Sequence, residues 1–342
     1  MAVQIPMPAL GCFANSKTHI PRHALRANYS EEYSCVGKRT SRIELTKEER
    51  ELRKLTHTNL VWSVLFVIMT CFAANSVMTR YLVLVSGVSP FLLTVVRFVS
   101  GLATLLMLTV IRPTTFRHNK PDSSYFLGAL FLGAYAFSIS YGYLFIPVAA
   151  GTFIFYTFVV VTMAAHSVIQ GKEKLTIRSV LGQLFGLFGV LVITFSKIGS
   201  VTPLGVLLMA VTGTSWGLYS AYGKRFENAF SYTYNSFLIL GAIAVIASIM
   251  VVLLGQPIFA NFSVKDLGLA LYMGMVSTAL SYVLWNVTVK RIAASVGGLV
   301  QLVVPVLAPI LGIILLGEQV TPALMLGGGF VLVGIYLAQS TP

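Results

Sequence analysis

Past residue 59 the chain alternates apolar runs of roughly 20 residues with short polar breaks, and no other pattern in it is as regular. At about 1.5 Å of rise per residue, a run of that length spans the hydrocarbon core of a bilayer as a helix. Spans are predicted over residues 60–80, 90–111, 125–146, 149–170, 177–196, 204–222, 232–254, 267–287, 296–316 and 323–339. The third and fourth meet at Pro147, so hydropathy alone hardly divides them. Residues 1–59 are polar and charged, expected to be a disordered cytoplasmic tail. Within that tail Glu44–Lys54 has the spacing of a short surface helix, with Thr46 and Glu49 as a capping box. The expected organisation is a tail at 1–59, a five-helix unit at 60–196 and a second at 204–339. The expected fold class is all-α: a polytopic membrane protein of about ten transmembrane helices in two inverted five-helix repeats.

Composition agrees with a bilayer as solvent. Of the 342 residues 56% are hydrophobic and 10% charged, against roughly 25% charged in a soluble domain. The net charge of +13 sits in clusters between the runs rather than in one patch, which argues against a nucleic-acid partner. With the N-terminus inside, the inner breaks carry Arg112, Arg117, Lys120, Lys172, Lys174, Arg178, Lys224, Arg225, Lys290 and Arg291, and the outer side carries Lys197, Lys265 and Arg80. That bias places both termini in the cytoplasm. A cell membrane is the favoured location. The first 30 residues lack Asp and Glu and hold Lys17, Arg22 and Arg26, which keeps an organelle membrane open. Cys12, Cys35 and Cys71 have no metal-ligand or disulfide spacing, and no metal or cofactor is called for. There is no GxxxxGK[ST] loop for an ATP-driven pump, no HExxH, and no potassium-channel filter sequence.

The halves repeat. Leu127-Gly128 to Gly133 and Ser140-Tyr141 match Leu267-Gly268 to Gly274 and Ser281-Tyr282; Gly182 and Gly189 fall opposite Gly327 and Gly334; Ala73-Ala74-Asn75-Ser76 lies opposite Gly217-Leu218-Tyr219-Ser220. With five spans in each, the second half enters from the opposite side, the architecture of carriers that rock about a midplane site. The stretch Gly87-Val88-Ser89-Pro90 followed by Arg97, and the run from Leu280 through Pro305 to Gly317-Glu318 and the glycine-rich last span, resemble the EamA branch of the drug/metabolite transporter superfamily. The likeness covers about residues 60–339. It is better in the second half, since Val160 stands where Pro305 does. The resemblance implies ten helices, two inverted repeats and transport of small metabolites, with no enzymatic activity.

Candidate site residues follow from polar and aromatic side chains inside the runs. Arg97 lies about seven residues into its span, where a charge costs a few kcal/mol and turns to a cavity or a partner. It reads either as a counter-charge for a substrate carboxylate or phosphate, or as a ligand of helix-end carbonyls. Asn75, Tyr135, Tyr141, Tyr156, Trp216, Tyr219, Tyr282, Trp285, Asn286 and Gln301 are expected to line the path, or in part to anchor the interface. Tyr156 and Gln301 are repeat equivalents. Pro305 and Pro309 should free the carbonyls of Gln301 and Pro305 and kink their helix, as a lining or a gate. Beyond the tail the acids are Asp122, Glu173, Glu227, Asp266 and Glu318, all at span ends. Transport driven by a buried carboxylate is therefore not expected. The glycine runs in spans five and ten suggest packing within the chain or across a homodimer. The favoured reading is a secondary exporter or exchanger of a small organic metabolite. The alternatives are a sugar-phosphate or nucleotide-sugar antiporter, and a non-transporting membrane protein or membrane enzyme.

Overall fold

The computed structural model describes residues 47–116, 119, 120, 122–146, 148–172, 174, 176–195, 202–255, 263–316 and 322–339. The chain divides after Leu55 into two units. Most of the first, with the expected tail disorder and the Thr46 cap, lies outside the described residues, as do Glu173, Glu318 and Pro147.

Among the described residues ten helices follow in order. They are α1 (Lys47–Arg80, continued by wider π-helical turns over Tyr81–Val85), α2 (Pro90–Ile111), α3 (Ser123–Phe145), α4 (Val148–Ile169) and α5 (Ile177–Phe195). The second set is α6 (Pro203–Gly223), α7 (Ala229–Leu253), α8 (Val264–Val289), α9 (Ala294–Val300, Gln301–Val303 and Val304–Leu316) and α10 (Pro322–Gln339). Among the described residues seven stretches are long and apolar enough to cross a membrane, and three shorter apolar ones fall in α5, α9 and α10. The chain is thus an all-α polytopic membrane protein. Many large apolar side chains are exposed along the helices, among them Val110, Ile169, Leu253 and Val264, as a surface facing lipid requires.

Local sequence sets the helix ends. Asp122, Thr202, Asn228 and Ser263 each accept an amide of the first turn of α3, α6, α7 and α8. The hydrogen bonds from Ser124 hold the Asp122 carboxyl below its ordinary pKa. Pro90 and Pro203 open α2 and α6, where no amide hydrogen is needed. Gly171 ends α4 at a φ of 64°: its amide reaches Val168 O and that of Lys172 reaches Ser167 O, a pair of bonds that needs a left-handed residue.

The repeats interlock rather than lie side by side. α6 of the second repeat packs against α3 and α4 of the first, α2 meets α7 and α8, and α5 pairs with α10. The α5–α10 contact explains the glycines. A Cβ on Gly182 would meet the backbone oxygen of Gly334 and the Ala338 amide, and one on Gly189 the backbone at Gly327 and Val331. These small residues are used inside the chain, so they give no argument for a homodimer.

Among the described residues two helices besides α1 depart from regular geometry. In α8 the residues Met273–Leu280 form π-helical turns, and in α9 Gln301–Val303 form a 3-10 turn. The 3-10 turn corrects one expectation. The Gln301 carbonyl is not freed by Pro305, because it accepts the Val304 amide. Pro305 is buried, and the Pro309 side chain lies outside the described set.

Candidate functional site: a buried aromatic and amide cluster

Side chains from both repeats meet in the middle of the bundle. Phe72 precedes the stretch that lies opposite Gly217–Ser220, which makes it the repeat counterpart of Trp216, and the two rings meet edge-on at 5.4 Å. Trp216 packs on Tyr282 at 4.7 Å and on Tyr135 at 4.9 Å. Tyr282 donates its hydroxyl to that of Tyr135 at 3.1 Å, and Asn75 Nδ2 donates to the same oxygen at 3.3 Å. Trp216 Nε1 donates to Gln301 Oε1 at 2.6 Å, and Gln301 Nε2 donates to Gly297 O at 3.1 Å. The 3-10 turn of α9 thus begins at the residue that holds the indole. All these groups are buried, and Gln301 is fully so.

A second layer lies toward the end of the bundle that carries Lys224 and Lys290. Trp285 Nε1 donates to Ser220 Oγ at 2.9 Å. Asn286 Nδ2 donates to Tyr219 OH at 3.1 Å and to Thr233 Oγ1 at 2.9 Å. Tyr219 stacks on Tyr232, whose hydroxyl bonds to the Tyr219 carbonyl. Beyond it two lysines cross-tie the loops. Lys224 Nζ donates to Ile292 O at 2.6 Å, and Lys290 Nζ donates to Phe226 O and to Glu227 O, the latter at 2.7 Å. Beside the tie, Phe116, Phe230, Val283, Val287 and Lys290 line an open cleft of about 630 Å³.

The third layer points to the opposite end. Arg97 is fully buried, and its Nη2 donates to Thr79 Oγ1 at 3.1 Å beside Met273 Sδ at 3.8 Å. Thr79 in turn donates to Asn75 O at 2.7 Å. Arg97 Nε and Nη1 have no hydrogen-bond partner among the described residues. Arg80, by contrast, closes α3 by donating to Tyr143 O and Ile146 O at 3.0 and 2.8 Å. At this end Asp266 accepts from Ser86 and Ser263.

The structure thus gathers Asn75, Tyr135, Trp216, Tyr282 and Gln301 in the middle layer, Tyr219, Trp285 and Asn286 in the second, and Arg97 in the third. Tyr156 is buried too, and with Tyr143 it lies near Ser76. Tyr141 is set apart: half-buried, it packs at 4.4 Å on Phe137, which is 52% exposed on the lipid side. Its repeat match to Tyr282 fails for a geometric reason. A regular helix turns roughly 100° per residue, so eight residues on from Gly133 Tyr141 has swung about 80° off that face. In α8 the π-turn takes up one extra residue and returns Tyr282 to the face of Gly274. Two residues beyond Tyr141, Tyr143 is fully buried, and nothing in the sequence singles out Thr79 or Ser76 as neighbours of these groups.

Known proteins agree with this architecture. The model of the EamA-like transporter family matches twice, over residues 60–195 and 203–339. An uncharacterized protein of Pseudomonas aeruginosa is 32% identical over 257 residues, covering 75% of this chain and 86% of that protein. An uncharacterized transporter of Clostridium kluyveri is 25% identical over 81% of this chain and 93% of its own length. The uncharacterized transporter YoaV of Bacillus subtilis is 26% identical over 75% of this chain and 89% of its own. A solved crystal structure superposes with a TM-score of 0.67 at 21% identity, over 81% of this chain and 95% of that one, and so shares the fold. With two matches that together take in nearly all of the chain beyond residue 59, the protein belongs to the EamA-like transporter family.

Proposed function

We propose that the chain is a secondary carrier which moves a small organic metabolite by alternating access, as an exporter or exchanger. The observation that supports this reading best is the middle layer: Asn75, Tyr135, Trp216, Tyr282 and Gln301, drawn from α1, α3, α6, α8 and α9, converge where the two repeats interlock. Residues from both halves in one cluster let a rocking motion part its walls toward either end. Aromatic faces with a few amides suit an amphipathic organic solute. The described acids Asp122, Glu227 and Asp266 all sit at helix ends, which favours exchange or facilitated flux over proton coupling. The distribution of basic residues favours cytoplasmic termini in a cell membrane.

The test is counterflow in proteoliposomes preloaded with amino acids, sugars, organic acids and nucleotide metabolites. Accumulation of a labelled solute against its matching internal pool supports the carrier. A folded, correctly inserted protein that exchanges nothing across such a panel would contradict it.

A further inference from the structure

Among the described residues, none supplies a counter-charge to Arg97. It is fully buried, only Nη2 has an oxygen partner, and Nε and Nη1 meet no acceptor. A buried charge without a counter-ion is strongly destabilising, and an intramembrane one is kept where it serves a pathway. The described acids are engaged elsewhere: Asp122 with Ser124, and Asp266 with Ser86 and Ser263. Glu227 lies in the loop after α6, at the Lys290 end.

The neighbourhood of the guanidinium has further unpartnered polar atoms. Asn75 Oδ1 is one turn before Thr79, and Ser277 Oγ and Thr278 Oγ1 are one turn past Met273 in the π-helical part of α8; all are buried and none has a hydrogen-bond partner. Such turns recur at functional sites because they widen the helix and redirect side chains. Gly274 keeps α8 close to α2 here, since a Cβ would strike Ser100 Oγ and the Arg97 backbone.

We infer that Arg97 anchors a carboxylate of the transported solute, whose neutral apolar or aromatic body lies against Tyr135, Trp216 and Tyr282. This rests on the carrier reading and narrows its substrate class to small monocarboxylates. One guanidinium balances one negative charge. The cations at the bundle ends, Arg80, Lys224 and Lys290, donate to backbone carbonyls there, so a phosphate dianion would keep an uncompensated charge. No described carboxylate lies in the cluster to receive an ammonium, which disfavours zwitterions. Asn75 links the anchor to the rings: its backbone carbonyl accepts from Thr79 and its side-chain Nδ2 donates to Tyr135.

The experiment uses the full chain in proteoliposomes with isosteric pairs, phenylacetate with phenylacetamide and benzoate with benzamide, beside the broad metabolite panel. Carboxylates are expected to exchange about tenfold or more faster than their amides. Arg97→Gln is expected to remove carboxylate exchange, and Arg97→Lys to restore part of it. Folding is checked by thermal unfolding in detergent: phenylacetate or benzoate should raise the Tm of the wild type and not that of Arg97→Gln, even where the variant is less stable. Amides that move as fast as carboxylates, exchange confined to neutral or zwitterionic solutes, or a variant that still responds to carboxylate would overturn the inference and leave the carrier reading standing. A folded wild type that exchanges nothing at all would overturn both.

Discussion

Tyr135 and Tyr282, from the third helix of each repeat, meet hydroxyl to hydroxyl at 3.1 Å, and Tyr135 is the shared acceptor for Tyr282 and Asn75. The asymmetry has a measurable consequence. Tyr135→Phe strands two buried donors, each worth about 1–3 kcal/mol when left unpaired. Tyr282→Phe removes a donor and leaves Tyr135 still bonded to Asn75, for about 1 kcal/mol or less. Thermal unfolding in detergent should therefore show the larger fall in Tm for Tyr135→Phe. Equal falls would mean the bond between the two hydroxyls does not hold the cluster.

The α5–α10 seam gives a second contrast. Gly182→Leu has no room beside the Gly334 carbonyl and Ala338, and it should cost about 1–3 kcal/mol or more through overpacking. Gly329→Ala, on the same last helix, meets nothing within 4 Å and should be neutral or stabilising by up to about 1 kcal/mol. The yield of monodisperse protein and its unfolding temperature report both.

How far the sequence displayed all this depends on the kind of signal. Hydropathy marks the helices because a bilayer demands long apolar runs, and the interlocking of the halves follows from their repeat. Trp216, Tyr282 and Gln301 are visible as polar or aromatic interruptions of such runs. Tyr141 misleads, since the repeat alignment assumes that α3 and α8 turn at the same rate, and the π-helical stretch at Met273–Leu280 breaks that assumption. The cross-tie was hidden for a different reason. Lys224 and Lys290 look like ordinary inner-side charges, and only their contacts with loop carbonyls reveal another role. Likewise the glycines of α5 and α10 fit a contact in one chain as well as between two, until the structure pairs Gly182 with Gly334 and Gly189 with Gly327.

That cross-tie is expected to act as a gate. Lys224 reaches the loop after α8 and Lys290 the loop after α6, so each lysine holds the other's loop. In a background free of native cysteines, the Lys224→Met/Lys290→Met double variant should label a cysteine introduced at Ser220 several-fold faster with a polar thiol reagent. Ser220 is fully buried beneath the tie. An unchanged rate would show that the lysines serve only helix ends.

Proton coupling gives a further check. The polar groups of the middle layer are amides, phenols and an indole, with no described carboxylate or imidazole among them. Substrate exchange should proceed without a matching proton current, read with a pH-sensitive dye trapped in the vesicles, and its rate should vary little from mildly acid to mildly alkaline pH. A substrate-dependent proton flux in step with transport would require a titrating group in the cycle.

The most direct measurement of the account is sided access to the cluster. Ser76 in α1 is 1% exposed and lies near Tyr143 and Tyr156, and cysteine is close to it in size. In sealed vesicles of known orientation, with Cys12, Cys35 and Cys71 replaced, a membrane-impermeant thiol reagent should label Ser76→Cys from either face. A transported solute should change both rates together. Labelling confined to one face, or none at all in a folded protein, would contradict a central site that opens to the two sides in turn.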